Sequence, residues 1–176
     1  MPTLSAGAFY VFSAVAIVAM LLVVVQRNAV HALLYLIVSF LAIAGLLFVL
    51  GAPFAAALEV IIYAGAIMVL FVFVTMMVSP GQEAAAAEAR WGLVRALVGP
   101  AVIGLALVAE LANVLTHAGA AHLGAGIISP KEVAVALFGT YVLGVELASM
   151  LLLAGLVGAY HLGRRMLHRE REGEVG

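Results

Sequence analysis

The sequence contains no cysteine, and only 10% of its 176 residues are charged. Without cysteine the chain forms no disulfide and offers no thiolate ligand to an iron–sulfur cluster or a haem. So little charge excludes a water-soluble surface of ordinary composition. A formal net charge of −1 also argues against nucleic-acid binding, which requires a basic surface. We therefore expect this chain to hold no thiolate-ligated redox centre and to bind no nucleic acid.

Apolar residues dominate the remainder: 66% of the chain is hydrophobic, and the mean hydropathy is +1.26. About 20 apolar residues in a helix cross a hydrocarbon core roughly 30 Å thick. Five continuous runs of about that length occur, at residues 4–25, 30–50, 54–78, 93–115 and 133–160. Their lack of alternation excludes a β-barrel. The sequence predicts an all-α integral membrane protein, with five transmembrane helices in a single membrane domain over residues 1–176.

The distribution of positive charge predicts the orientation of these helices. Cytoplasmic loops collect Lys and Arg. If the N-terminus lies outside, only Lys131 falls on the outer side. The residues then on the inner side are Arg27, Arg90, Arg95, Arg164, Arg165, Arg169 and Arg171. We therefore predict an external N-terminus and a cytoplasmic C-terminus.

Carboxylates within the apolar runs are the first candidates for chemistry, since each costs about 3 kcal/mol at the membrane centre on insertion scales. Glu59 lies near the outer end of the third run, and Tyr63 follows it by four residues on the same helical face. A carboxylate and a phenol so placed suit a proton path. An anchoring carboxylate beside a packed tyrosine explains the pair equally well.

Glu146 lies near the middle of the fifth run, with Ser149 one turn later, and is too deep to reach water. Four small residues occupy the opposite helical face, where close packing is expected: Gly144, Ala148, Gly155 and Ala159. Glu146 should therefore face a polar bundle interior or another subunit. These placements favour a role in function or assembly over an incidental one.

Weaker candidates lie in the second and fourth runs. His31, Tyr35 and Ser39 form a stripe at intervals of four residues, which a proton path could use. Ordinary interhelical hydrogen bonds and an interfacial histidine are the simpler interpretation. Glu110 lies near the outer end of the fourth run, where extension of its side chain to the interface accounts for it.

Three blocks of sequence carry a resemblance to a known family. They are ALEVIIYAGAIMVLFVFV at residues 57–74, VHALLYL at 30–36 and VLGVELASMLLLAG at 142–155. They closely resemble subunit J, or chain 10, of proton-translocating NADH:quinone oxidoreductase, respiratory complex I, which is homologous to mitochondrial NADH dehydrogenase subunit 6. The similarity covers most of the chain apart from the first helix, the fourth helix and the tail. Two departures, Ala29 and Thr140 where related chains often have Pro, bear on local kinks only.

The resemblance implies a small subunit of the membrane arm that binds no redox centre itself. NADH, FMN, iron–sulfur clusters and quinone would then belong to partner subunits. Its expected partners are other membrane-arm subunits, including the quinone module and the small antiporter-adjacent subunits, together with membrane lipid. The implied location is the bacterial cytoplasmic (inner) membrane, as a multi-pass protein.

The resemblance also implies a π-type bulge in the third helix near Tyr63 and Gly65. In the family, rotation of this helix is thought to open or close a proton path beside the quinone module. Glu59 and Tyr63 match the family motif residue by residue. We therefore assign Glu59, Tyr63 and Glu146 to the expected proton path, and Tyr63 and Gly65 to the helix switch.

Two other functions remain open on the residues alone. A stand-alone ion transporter would use Glu59 and Glu146 as ligands, whereas a purely structural subunit would use its acidic residues only to satisfy neighbouring groups. Five short-looped helices without a binding domain favour a component of a larger assembly.

The predicted orientation is testable by cysteine labelling, because the chain has no native cysteine. A membrane-impermeant thiol reagent added to intact cells should label Gly119→Cys in the fourth-to-fifth connection and leave Glu174→Cys in the tail unlabelled. After permeabilisation both variants should react. Labelling of Glu174→Cys from outside would reverse the assigned orientation.

Overall fold

The computed structural model of the chain describes residues 2–26, 28–78, 93–116 and 126–173. Within these ranges five helices are long and apolar enough to cross a membrane: Ala6–Val25, Ala29–Val49, Pro53–Met77, Val98–Thr116 and Val142–Arg164. They confirm the predicted all-α architecture and the number of spans. The side of the membrane on which each terminus lies stays a prediction.

The helices divide between two compact units, Met1–Ser129 and Pro130–Gly176. The first unit contains α1 (Pro2–Val25), α2 (Ala29–Val49), α3 (Pro53–Leu58), π1 (Glu59–Met68), α4 (Val69–Met77) and α5 (Leu93–Thr116). The second contains α6 (Pro130–Val135), π2 (Ala136–Thr140) and α7 (Val142–Gly173). The third span is therefore one continuous helix that passes from α through π and back to α.

Helix α2 is the centre of the first unit, because α1, the third span and α5 all pack against it. It begins where the polar break predicts. The Asn28 side chain accepts hydrogen bonds from the backbone N–H groups of Val30 (2.8 Å) and His31 (3.3 Å). Such a cap satisfies donors that a helix start leaves unpaired and contributes about 1 kcal/mol.

Small residues bring α1 and α2 into close contact. The Phe12 ring lies so near Gly45 that a Cβ there would be 2.6 Å from the ring. Nearby, the Ser39 hydroxyl donates a 3.1 Å hydrogen bond to the Ala16 carbonyl. Interhelical bonds of this kind contribute about 0.6 kcal/mol in membranes. Gly45 therefore leaves room for the Phe12 ring, and the buried alanines Ala8, Ala19 and Ala42 belong to the same packed cluster.

Helix α5 meets α2 through a second glycine contact. Tyr35 is buried and its hydroxyl lies directly over Gly99, where the phenol carbon Cζ would be 3.2 Å from an added Cβ. The next residue, Pro100, stands inside α5 and is itself buried. Tyr35 thus packs against α5 at the turn that proline interrupts.

A tight turn joins α2 to the third span. Gly51 has φ +86°, a left-handed conformation that glycine adopts without strain. Its carbonyl accepts a 2.9 Å hydrogen bond from the Ile128 N–H, and an added Cβ would be 2.9 Å from the Gly126 carbonyl oxygen. The segment just before α6 is therefore tied to this turn.

The second unit differs in detail from the predicted run at 133–160. Its helix starts at Pro130, widens into π2, and is broken at Tyr141, whose N–H bonds to the Ala136 carbonyl at 2.9 Å. Regular α-helix resumes at Val142 and continues to Gly173, beyond the predicted end. Irregularity therefore occurs beside Thr140, although proline is absent there.

The Tyr35–Gly99 contact generates a paired prediction. Gly99→Ala would force its Cβ into the Tyr35 hydroxyl, and overpacking of this kind costs about 1–3 kcal/mol. We expect several-fold less membrane-inserted, assembled protein on native gels. Tyr35→Phe removes the clashing oxygen and should restore most of the loss in the double variant.

Gly104→Ala is the matched control, because a Cβ at Gly104 meets nothing within 4 Å in the described chain. It should behave as wild type. A double variant as deficient as Gly99→Ala alone would show that the two residues do not press on one another.

Candidate functional site

The candidate site is the ten-residue π-helical segment π1, which begins at Glu59 and contains Tyr63 and Gly65. In a π-helix each N–H bonds to the carbonyl five residues earlier, so the turn is wider than in an α-helix. Such segments occur frequently at functional sites. The π-type irregularity implied by the resemblance is therefore present at the residues that were assigned to it.

Gly65 suits this wide turn because it lacks a side chain. A Cβ at Gly65 would lie 3.1 Å from the Val60 carbonyl oxygen, tighter than nearly all real contacts of a Cβ. Val60 stands five residues earlier, which is the position whose carbonyl accepts the Gly65 N–H in a π-helix. In an α register the nearest axial carbonyl is that of Ile61 instead. In the π register an added Cβ therefore requires the Val60 carbonyl to shift by a few tenths of an ångström.

Tyr63 links π1 to α2. Its ring packs against Phe40 with centroids 5.4 Å apart and planes inclined by 39°. The side chain is nevertheless 46% exposed. Any rotation of this part of the third span must therefore separate or re-form the Phe40–Tyr63 contact.

Glu59 is half-buried at the first residue of π1, one turn before Tyr63. In the described part of the chain no hydrogen bond joins its carboxylate to the Tyr63 hydroxyl. The two groups share a helical segment without forming a direct proton link in this arrangement. A path between them would need a further group or a change of register.

Glu146 lies in the second unit, on α7, five residues beyond Tyr141. Its side chain is exposed. The Ser149 hydroxyl donates to the Glu146 backbone carbonyl at 2.7 Å, so the serine is bonded to its own helix rather than to the carboxylate. The carboxylate remains available for a group outside α7.

The three residues of the stripe on α2 lie in three different environments. His31 is half-buried at the capped start of the helix, Tyr35 lies against Gly99, and Ser39 is bonded to the Ala16 carbonyl. For Ser39 the interhelical hydrogen bond is thus the better interpretation. Glu110 is half-buried on α5. The structure brings neither His31 nor Glu110 into π1.

Sequence reasoning missed Phe40, Val60 and the whole of π2. Phe40 carries no local signal, because its role depends on the packing of two helices. Val60 becomes significant only once the π register is known, five residues before Gly65. The described residues contain no group of three or more His, Asp or Glu placed to hold a metal ion. In π1 itself, the Glu59 carboxylate and the Tyr63 hydroxyl are groups that can form hydrogen bonds.

Comparison with known proteins agrees with the sequence blocks. The family described as NADH-ubiquinone/plastoquinone oxidoreductase chain 6 matches residues 19–162. The NADH-quinone oxidoreductase subunit J of Pseudomonas aeruginosa is 53% identical over 159 residues, covering 90% of this chain and 96% of the relative. The Escherichia coli subunit J is 50% identical over 168 residues, covering 96% and 89%.

A more distant relative extends the agreement. Subunit J of Rhodobacter capsulatus is 37% identical over 167 residues, covering 90% of this chain and 81% of the relative. The matched residues include both π segments, three of the five spans in full, and parts of the first and fifth spans. The chain therefore belongs to the NADH-ubiquinone/plastoquinone oxidoreductase chain 6 family.

Proposed function

We propose that this chain is a membrane-arm subunit of a proton-translocating NADH:quinone oxidoreductase, and that its third span helps to couple quinone reduction to proton transfer. The names of the relatives support membership of such a complex. The observation that carries the coupling role is π1, which combines Glu59, Tyr63 and Gly65 in one irregular helical segment. The whole chain, residues 1–176, acts as one membrane domain in the bacterial cytoplasmic membrane.

The proposed switch is a change of hydrogen-bond register within π1. In the π register Gly65 pairs with Val60, and in the α register it pairs with Ile61. The change rotates the side chains that lie between the two ends of π1 about the helix axis. Tyr63 then leaves or regains Phe40, and its hydroxyl, which both donates and accepts hydrogen bonds, joins or leaves a path that includes Glu59.

Glu146 serves the same proton path from the fifth span. Arg164, the last residue of that span, is the only Lys or Arg within the five described spans, so this chain supplies no deep cation to neutralise the carboxylate. Burial against a neighbouring subunit would leave Glu146 protonated or paired with a group of that neighbour. His31, Tyr35 and Glu110 are secondary members of the path.

The redox chemistry belongs to partner subunits in this proposal. NADH, FMN, iron–sulfur clusters and quinone are held elsewhere, and this chain acts as a non-redox part of the translocase. Its neighbours are the quinone module and the small antiporter-adjacent subunits. Lipid covers the remaining apolar faces.

A stand-alone ion transporter and a purely structural subunit are the competing functions. Native electrophoresis of gently solubilised membranes separates the first, because a transporter migrates as a small oligomer and a component migrates with a very large assembly. Proton translocation measured per assembled complex separates the second. A structural subunit would lose proton transfer only in proportion to lost complex.

Substitution of Gly65 tests the switch directly. Gly65→Ala adds the Cβ that crowds the Val60 carbonyl, and Gly65→Val adds a β-branched side chain that also crowds the preceding turn. We expect quinone reductase turnover and coupled proton uptake, per assembled complex, to fall in the order wild type, Ala, Val. Complex abundance on native gels should stay close to wild type.

Ala66→Val is the matched control, since it places the same side chain at the neighbouring position of π1 and keeps Gly65 intact. It should reduce turnover far less than Gly65→Val. If Gly65→Val instead gave normal turnover per complex with reduced abundance, Gly65 would be a packing contact and the switch would be rejected.

Glu110 in the fourth span and Glu146 in the fifth span should differ in how strongly their replacement affects the complex. Glu146→Leu should damage assembly or proton coupling more than Glu110→Leu, because only Glu146 is too deep for its carboxylate to reach water. Glu146→Gln, which keeps hydrogen bonding without charge, separates the need for a proton from the need for a polar contact. Wild-type yield and proton pumping in both Leu variants would remove Glu146 from the path.

A further inference from the structure

The hydroxyl group of Tyr35 is an unsatisfied polar group inside the first unit. The side chain is 8% exposed, and the hydroxyl lies against the backbone of α5 at Gly99. Within the described residues it has no hydrogen-bond partner. A buried hydroxyl left in this condition costs about 1–3 kcal/mol. Ser39, one turn further along α2, avoids this cost by bonding to the Ala16 carbonyl.

A second unsatisfied group lies on the facing helix. Pro100 has no N–H, so the Ala96 carbonyl, four residues earlier in α5, lacks its helical donor. Ala96 precedes Gly99 by three residues, which makes the two neighbours on the helix surface. The freed carbonyl therefore lies within one helical turn of Gly99, which the Tyr35 hydroxyl contacts.

Tyr35 and Gly99 also lie at the same depth in their helices. Tyr35 follows the first residue of α2 by six positions, and Gly99 follows the first residue of α5 by six. At 1.5 Å per residue both lie about 9 Å from their helix starts. The second and fourth spans begin on the same side of the membrane, since successive spans alternate in direction. Within the described residues, the Tyr35 donor and the Ala96 acceptor, which precedes Gly99 by less than one helical turn, are therefore left without partners at similar depths.

We propose that the Tyr35 hydroxyl and the Ala96 carbonyl together bind one water molecule in the interior of the bundle. The hydroxyl donates to the water oxygen, and the water donates one hydrogen to the carbonyl. Ordered water is one of the ways in which proline-interrupted membrane helices satisfy their freed backbone groups. Two polar partners meet the minimum for a buried water.

This site gives Tyr35, a secondary member of the proposed proton path, a second role in binding water. It rests on the contact between α2 and α5 alone, so it stands whether or not π1 changes register. Tyr35 lies one turn beyond His31, which stands at the capped start of α2. Polar groups thus extend from the helix end into the bundle at Tyr35.

Electron cryo-microscopy of the purified, assembled complex at a resolution that shows ordered water tests the site. In wild type we expect water density at about 2.7–3.0 Å from both the Tyr35 hydroxyl and the Ala96 carbonyl. Tyr35→Phe and Pro100→Ala should each abolish it, because one removes the donor and the other restores an N–H for the carbonyl. Tyr10→Phe, at a tyrosine that is 71% exposed, should leave it unchanged.

Three results would overturn the proposal: a direct hydrogen bond between hydroxyl and carbonyl without water, a side chain of a neighbouring subunit bonded to the hydroxyl, or density that persists in both variants. Stability gives an independent measurement. Tyr35→Phe should lower the thermal inactivation midpoint of the complex in the wild-type background, where it leaves the carbonyl unpaired. In the Pro100→Ala background it should be neutral or stabilising, and equal losses in both backgrounds would contradict the shared water.

Discussion

The need to pair every backbone N–H and C=O within the hydrocarbon core constrains this structure more than any other requirement. It accounts for five long helices in the described chain and for the helical form of even its irregular parts. The segments π1 and π2 change the hydrogen-bond register without abandoning internal pairing. Pro100 is different, because it removes a donor outright. The departures from α-helix therefore mark the places where backbone pairing can be exchanged or completed by another group.

Helix α2 is the fixed element around which the first unit is arranged. Within two turns it contacts three neighbours: Tyr35 lies on α5, Ser39 bonds to α1, and Phe40 packs on Tyr63 of π1. Two of these contacts involve glycine or a backbone carbonyl, which permit close approach and little movement. The Phe40–Tyr63 contact joins two side chains, one of them half exposed, and can separate without disturbing the others. The proposed rotation of the third span would break this contact and leave the Tyr35 and Ser39 contacts in place.

Much of the fold could be predicted from the sequence because span length and apolarity are local properties. The start of α2 could be predicted as well, since Asn28, the last polar residue between the first two spans, caps that helix. Glu59, Tyr63 and Gly65 could be placed in an irregular segment only through the family resemblance, since a lone glycine does not determine a hydrogen-bond register. The break at Tyr141 could not be predicted, because Thr140 lacks the proline that would mark it. The Tyr35–Gly99 contact joins residues 64 positions apart, and no local pattern encodes it.

The central claim is that π1 exchanges hydrogen-bond register during turnover. Its most direct test compares cryo-microscopy structures of the assembled complex at rest and while reducing quinone. During turnover we expect two populations: one with the Gly65 N–H bonded to the Val60 carbonyl and Tyr63 against Phe40, the other with that N–H bonded to the Ile61 carbonyl and the two rings apart. A single register with the Phe40–Tyr63 contact intact under both conditions would contradict it.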